Sequence, residues 1–420
     1  MNGINKLGTR GTARSGLVAA LDVGSSKVCC FIARVDATGA SRIVGIGHQV
    51  SRGLRGGAVV DLEATVAAIT AAVEAAERMA NETVKRVLVN FSCGDPASHT
   101  VGVEVAVSGH EISDADLRRV LAQGRPRAES GEREVAHAVP VGFRVDGANG
   151  VRDPRGMFGS RLGVDIHVVT ASTGALRNLR ICLERAHLDA EETLISSYAS
   201  GLSILDEDEM NLGVTVIDMG GGSTTIAVFY DHDLHFADVV TLGGQHVTND
   251  IARGLATPVA HAERMKTLYG TAIASPADES AMIDVPQVGE TELAEPNHVP
   301  RSLLSSIIQP RAEEILEFVR ERLELSGYAR TAGRRVVLTG GASQLTGMRE
   351  LAAKVLDKQV RIGRPVHIQG LAEATGGPAF ATCAGLLCHA AQGRSALPEA
   401  AETAPRQGLA RVGQWLRENF

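Results

Sequence analysis

Two stretches of this chain combine a carboxylate, glycine and hydroxyls in the same order. Near the start, Leu17–Val18–Ala19–Ala20–Leu21–Asp22–Val23–Gly24–Ser25–Ser26–Lys27 runs from an apolar segment through an acid into a glycine–hydroxyl turn. Far downstream, Val214–Thr215–Val216–Ile217–Asp218–Met219–Gly220–Gly221–Gly222–Ser223–Thr224 repeats that order, and Thr225–Ile226–Ala227–Val228–Phe229 resumes an apolar run. Each reads as strand, tight turn, strand. Glycine admits positive φ and lets backbone N–H groups come close to a ligand. A row of such groups forms an anion nest. Asp22 and Asp218, at the strand ends, can hold a metal through its waters. The plainer alternative is a pair of glycine-rich hairpins with no ligand and buried acids as polar caps. Lys27 then either contacts phosphate or simply faces solvent from its strand.

Three further features point the same way. Gly340–Gly341–Ala342–Ser343 closes the apolar strand Arg335–Val336–Val337–Leu338 and leads towards a helix. Gly243–Gly244–Gln245 opens another helix, whose first turn is expected to present free N–H groups and a positive dipole end to phosphate. Glu263 and Lys266 project one turn apart from a helix over 258–269, as nucleotide contacts or as a surface pair. Two similar sheet domains facing each other would grip a polyphosphate from both sides. Mg²⁺ keeps several waters and takes few carboxylates, so Asp22 and Asp218 would suffice. The Gly340–Gly341 turn would underlie the nucleoside, with Glu263 and Lys266 within reach of ribose or base. No residue stands out as catalytic or water-positioning.

The elements that must position these residues fit an α/β chain of two similar domains. With 420 residues there is ample material for two or more domains. Strands are expected at 17–22, 27–35, 42–47 and 85–91, and a helix at 61–80 capped by Asp61. A small α+β module is expected over about 95–165, within a first domain of 16–190. Its valines at 101, 103, 105 and 107 alternate with other residues, and Ser113–Asp114–Ala115–Asp116 has a capping-box pattern. A second domain is expected over 191–391, with helices at 196–205, 302–326 and 379–391. Its outer part spans about 270–330.

Charge and cysteine content bound the partners. The net charge of −7 argues against general nucleic-acid binding. The six cysteines have no paired metal spacing and sit mostly in apolar runs, as reduced core residues do. Residues 1–15 are a polar arm, and no apolar run approaches the roughly 20 residues that span a bilayer.

Residues 392–407 read as a flexible linker. After it, Leu409, Val412, Trp415, Leu416 and Phe420 fall on one helical arc within 408–420, flanked by Arg411 and Arg417. Such a segment fits an interfacial anchor on anionic lipid. The alternative is a terminal helix docked on its own domain.

Asp22–Lys27, Asp218–Thr224 and Leu338–Ser343 resemble the two phosphate motifs and the adenosine motif of the actin-like ATPase superfamily. Within it the chain resembles the FtsA family of bacterial cell-division proteins. The likeness covers about 15–391 plus the tail. It rests also on Gly243–Ala252, on Ala262–Lys266 with Tyr269–Gly270, on Val360–Pro365 and on Trp415–Phe420. The 95–165 module fits the family's own inserted subdomain. The resemblance implies an actin-like fold around a nucleotide cleft that holds ATP and Mg²⁺, with hydrolysis slow at most. It implies filaments of the chain with itself on the cytoplasmic face of the inner membrane at the division site. It also implies tethering of FtsZ through that protein's C-terminal peptide and recruitment of later division proteins. Arg301 and Arg311 match basic family positions where that peptide binds; otherwise they are solvated helix charges. Competing readings are an actin-fold small-molecule kinase, a pilus-assembly actin-like adaptor and a shape-determining filament.

Overall fold

The computed structural model describes residues 16–36, 38–124, 131–289 and 297–392. The N-terminal arm, all of the linker after Gln392 and the tail with Leu409, Arg411, Val412, Trp415, Leu416, Arg417 and Phe420 lie outside the described residues. Two five-stranded sheets of the same design carry the fold.

In the first sheet, β1 (Gly16–Val23), β2 (Lys27–Val35) and β3 (Ser41–Val50) form an antiparallel meander. A two-residue hairpin, β4 (Leu54–Arg55) and β5 (Ala58–Val59), leads to α1 (Leu62–Ala80). The Asp61 side chain accepts from the Ala64 N–H at 3.0 Å and caps that helix. A crossover helix is what a parallel pairing needs, and β6 (Arg86–Phe91) duly lies parallel to β1.

Next comes a separate sheet. β7 (Ala97–Ala106), α2 (Asp114–Gln123), β8 (Arg133–Val145), β9 (Ala148–Val151) and β10 (Arg161–Ser172) form an antiparallel sheet in the order β7-β10-β8-β9, with α2 packed on it. Ser113 and Asp116 close the capping box at the start of α2. After α3 (Thr173–Arg185), β11 (Asp189–Ile195) returns to the first sheet, parallel to β6.

α4 (Ser196–Ile204) and a short α5 (Glu207–Leu212) then lead into the second sheet. Here β12 (Val214–Met219), β13 (Thr224–Tyr230) and β14 (Asp233–Val240) repeat the meander. The helices α6 (Gly244–Gly254), α7 (Val259–Tyr269) and α8 (Arg301–Leu325) follow, with a small strand pair β15 (Met282–Val285) and β16 (Asn297–Pro300) before α8. β17 (Arg335–Thr339) lies parallel to β12, and after α9 (Met348–Leu356), β18 (Gln359–Ile362) lies parallel to β17. α10 (Ala381–Ala391) is the last described helix.

Both sheets thus read third, second, first, fourth, fifth strand across, a repeat of architecture that the sequence shows only in the Asp–x–Gly units. The short α5 is not anticipated from sequence. Its buried Glu209 is paired with Arg361 at 2.5 Å and Arg335 at 3.2 Å, which pins it to the second sheet.

Strand periodicity decides which core each face joins. Val216 enters one core with Leu21, Phe31, Tyr198 and Leu387; Ile217, its neighbour, enters another with Ile251, Leu304, Ile315 and Leu351. The first core is continuous between the two sheets. Its centre is the pair α4 and α10, every residue of which is buried. Gly385 makes their approach possible, because a Cβ there would lie 1.6 Å from the Ala199 carbonyl oxygen.

Candidate functional site

The two Asp–x–Gly turns meet. In the first, Asp22 pairs with Cys29 across the β1–β2 ladder, and the Gly24 N–H donates to the Lys27 carbonyl at 3.0 Å. In the second, Asp218 pairs with Thr225, and the Gly220 N–H donates to the Ser223 carbonyl at 2.9 Å. A Cβ on Gly221 would lie 1.8 Å from Ser26 Oγ, and one on Gly222 would lie 2.3 Å from Ser25 Oγ. The hydroxyls of one turn therefore sit against the bare glycines of the other. The N–H groups of Ser25, Ser26, Gly221 and Gly222 have no acceptor among the described residues. Four unpaired N–H groups on two facing turns are a donor set for an anion.

Both carboxylates are buried behind these turns. Asp22 Oδ1 accepts from Asn90 Nδ2 at 2.8 Å, and Asp218 Oδ2 accepts from Ser200 Oγ at 2.5 Å and Thr382 Oγ1 at 2.8 Å. Burial pushes the Asp22 carboxyl up to about 7; the Lys27 ammonium opposes this, the Asp218 carboxylate adds to it and the Asn90 amide opposes it. Burial also raises Asp218, against the hydroxyls of Ser200 and Thr382 and the charge of Lys27. Two desolvated carboxylates, the second of which raises the proton affinity of the first, are a setting that a hydrated divalent cation would relieve.

Lys27 is half-buried rather than solvent-facing. Its ammonium donates to the Ala379 carbonyl and stands 3.6 Å from the centroid of the Phe380 ring. Ser223 is buried, and Thr224 Oγ1 donates to the Leu242 carbonyl at 2.8 Å, which closes the second turn onto the approach to α6.

At the start of α6 the expectation of free N–H groups needs correction. The Gly244 N–H donates to the Gly220 carbonyl at 2.9 Å, and the Gln245 N–H donates to the Gly221 carbonyl at 2.8 Å. The double glycine serves close approach instead: a Cβ on Gly243 would fall 2.6 Å from the Gly220 oxygen. Gln245 Nε2 donates to the Ser25 carbonyl at 3.1 Å, so this helix start braces both turns.

Glu263 and Lys266 form an ion pair at 2.7 Å, but not an isolated surface one. Lys266 Nζ also donates to Thr248 Oγ1 at 2.8 Å and to the Gly244 carbonyl at 3.1 Å, which fastens α7 to α6. Gly340 has φ 84°, and a Cβ there would lie 2.4 Å from Asp218 Oδ1. Ser343 Oγ donates to the Gly340 carbonyl at 2.7 Å, and Ala342 Cβ lies 3.0 Å from where a Cβ on Gly244 would be. Beyond this turn lies an open cavity of about 370 Å³ lined by Ser343, Gln344, Met348, Arg349, Arg364 and neighbours. That is within the range of small-molecule sites.

The turns carrying Asp22, Asp218, Gly243 and Gly340 are therefore one constellation. Arg301 and Arg311 lie apart from it on α8. Arg301 Nε donates to the Tyr269 carbonyl at 2.7 Å and its guanidinium lies 3.5 Å from Asp278, while Arg311 is paired with Asp250 at 2.5 Å and with Glu314. Both arginines have partners inside the chain.

Sequence reasoning missed Asn90, Ser200 and Thr382, the groups that hold the two carboxylates. Asn90 and Thr382 are single polar residues in apolar runs, Ser200 is one of four serines on its helix, and none has a fixed spacing to its aspartate. Among the described residues, no group of three or more His, Cys, Asp or Glu side chains is placed to hold a metal, and no helix is long and apolar enough to cross a membrane.

Comparison with known proteins follows the same division of the chain. Residues 215–385 match the family model "Cell division protein FtsA", and residues 94–170 match "SHS2 domain inserted in FTSA". The cell division protein FtsA of Rhizobium meliloti (strain 1021) is 44% identical over 100% of this chain and 98% of its own length. Among solved structures, the PilM-PilN type IV pilus biogenesis complex aligns with TM-score 0.61 and 17% identity, over 89% of this chain and 98% of that one. MreB5 of Spiroplasma citri bound to ADP aligns with TM-score 0.53 and 13% identity, over 89% of this chain and 96% of that one. These two likenesses show an actin-like fold.

Proposed function

This chain belongs to the FtsA family of cell division proteins, and from that premise we propose that it is an ATP-binding, filament-forming adaptor that ties the division machinery to the inner membrane. The observation that carries the nucleotide part is the meeting of the two Asp–x–Gly turns. Four N–H donors without an acceptor and two buried carboxylates lie there within one constellation. Ser25, Ser26, Gly221 and Gly222 would receive phosphate oxygens. Asp22 and Asp218 would hold the waters of Mg²⁺, whose charge offsets that of the phosphates. Lys27, held over Phe380, adds positive charge at the cleft floor. Gly340–Ser343 would flank the nucleoside, with Glu263 and Lys266 bracing the far wall. The ADP of the MreB5 structure supports a nucleotide in a fold of this kind.

The membrane part rests on the amphipathic arc of Leu409, Val412, Trp415, Leu416 and Phe420 with its two arginines. The FtsZ peptide would meet α8 around Arg301 and Arg311, exchanging their internal acidic partners for its own carboxylates. Filament formation and recruitment of later division proteins follow from the family.

Co-sedimentation with anionic liposomes, in ATP and Mg²⁺, tests the adaptor reading. The full chain is expected to pellet and a version ending at Gln407 to stay in solution; Trp415→Glu should behave as the truncation does, with its ATP affinity unchanged. Equal pelleting of full and truncated chains would remove the tail as anchor. Failure of the full chain to bind ATP in the same buffer would remove the nucleotide reading.

A further inference from the structure

Helix α4 carries four serines in nine residues, Ser196, Ser197, Ser200 and Ser203, and all are buried. A buried hydroxyl is costly unless it is paired. Each of these is paired, and with different parts of the molecule. Ser197 Oγ donates to the Ile226 carbonyl at 2.9 Å, and Ser203 Oγ donates to the Ala381 carbonyl at 2.8 Å. The other two, one helical turn apart, lead to the two aspartates.

Ser196 Oγ donates to the Phe91 carbonyl at 3.1 Å and accepts from Asn90 Nδ2 at 3.0 Å. The same amide nitrogen donates to Asp22 Oδ1 at 2.8 Å, and Asn90 Oδ1 accepts from the Val23 N–H at 2.7 Å. The Val23 bond fixes which way the amide faces, so the donor is aimed at the carboxylate. On the next turn, Ser200 Oγ donates to Asp218 Oδ2, and so does Thr382 Oγ1 from α10. Ser200 and Thr382 also lie 2.9 Å from each other. One oxygen of each carboxylate is thus held from behind by a group anchored on α4.

We propose that α4 is the positioning element of the divalent-cation site, setting the separation and facing of the two carboxylates. Asn90 through Ser196, and Ser200 with Thr382, fix Asp22 Oδ1 and Asp218 Oδ2. This presents Asp22 Oδ2 and Asp218 Oδ1 to the waters of the cation. The two anchors share one rigid helix, about 6 Å apart along its axis. Carboxylates on different sheets therefore keep their spacing even when the turns that carry them shift. Asn90, Ser196, Ser200 and Thr382 are positioning residues and touch neither cation nor nucleotide. The inference rests on the reading that the cleft takes a nucleotide with Mg²⁺.

The test is ATP affinity of the full chain in Mg²⁺ and in excess EDTA, expressed as the dissociation constant in EDTA divided by that in Mg²⁺, with Mn²⁺ binding followed by electron paramagnetic resonance in parallel. Ser200→Ala and Thr382→Val are expected to lower the ratio roughly tenfold or more, as loss of a partner behind a metal ligand does. Affinity in EDTA should stay within about twofold, since the phosphate donors are untouched. Thr382→Ser, which keeps the hydroxyl, should restore the ratio. Ser203→Ala is the structural control: it removes a buried hydroxyl of the same helix that touches no aspartate, and should lower the melting temperature but leave the ratio alone. Wild-type ratios and wild-type Mn²⁺ binding in Ser200→Ala and Thr382→Val would overturn the proposal while leaving the cleft reading intact. Equal loss of the ratio in Ser203→Ala would overturn it too, by showing a general packing effect. A wild-type chain that binds ATP with no response to Mg²⁺ would overturn the cation site itself. Should Ser200→Ala fail to fold, Ser200→Cys, which keeps the side-chain volume but donates only weakly, takes its place: a lowered ratio supports the role of α4 and a wild-type ratio overturns it.

Discussion

The two Asp–x–Gly turns share one order of residue types and differ as sites. The first carries hydroxyls at its tip, with Ser25 and Ser26 projecting; the second carries bare glycines, into which those hydroxyls fit. Both carboxylates feel Lys27; the first is held by one amide and feels Asp218 as well, and the second is held by two hydroxyls. The difference teaches that a repeated motif need not mean a repeated role. Two copies facing each other must be complementary rather than equal, since two hydroxyl-bearing tips would collide and two bare ones would leave a gap.

Substitutions that ignore the asymmetry should therefore have unequal effects. The largest is expected for Asp218→Ala, which removes a carboxylate and leaves the buried Ser200 and Thr382 hydroxyls only each other, with one donor unpaired. ATP affinity in Mg²⁺ should fall about 100-fold or more, and melting temperature should drop with it, because unsatisfied buried groups cost about 1–3 kcal/mol each. Titration with a fluorescent ATP analogue and a thermal melt check both.

Next comes Gly222→Ala. Its Cβ would lie 2.7 Å from Ser25 Cβ and 2.9 Å from the Gly56 nitrogen, so the two turns must part, and nucleotide affinity should fall by about tenfold or more. Gly24→Ala, in the first turn at the position that matches Gly220, puts a Cβ 3.0 Å from the Lys27 carbonyl and 4.0 Å from Asp22 Oδ1 but against nothing in the second turn, and should stay within about threefold of wild type. Equal losses in the two variants would break the comparison.

The pH dependence of the metal-free chain sharpens it further. A folded Asp22 carboxyl near 7, against about 3.9 unfolded, binds more protons folded than unfolded in that window. In EDTA its contribution to stability is full below pH 4 and is lost as pH rises through 7. The size is on the order of 4 kcal/mol, at about 1.4 kcal/mol per pH unit. Asp22→Asn should flatten that part of the profile in chemical-denaturation curves at pH 5 and 7.5; an unchanged slope would mean the carboxylate does not ionise against burial.

Much of this was legible before the fold was known. The order acid, glycine, hydroxyl between apolar runs specifies a hairpin locally, because glycine relieves the turn and β-branched residues favour the flanking strands. Asp61 and Ser113 announce helix starts for the same local reason. The alternating valines and the capping box marked the inserted module, the resemblance to the FtsA family agreed with it, and the chain builds it over β7–β10 with a core of its own. Less legible was what the local pieces do to one another. The Gly244 and Gln245 N–H groups look free in any isolated helix and are engaged here only because the second turn's carbonyls arrive from elsewhere. Arg301 and Arg311 read as available charges and find acids at Asp278 and Asp250.

By itself, then, the sequence determined the two turns, the helices with clear caps, and the alternation that sends Val216 and Ile217 to different cores. All of these are set by residues within a few positions of each other. The tertiary structure alone decided that α4 and α10 are the shared seam between two sheets of one design, and that Asn90, Ser200 and Thr382 stand behind Asp22 and Asp218. Those hydrogen bonds join residues as much as 164 positions apart. No periodicity or spacing can encode them, because such contacts exist only once both sheets have closed on the same pair of helices.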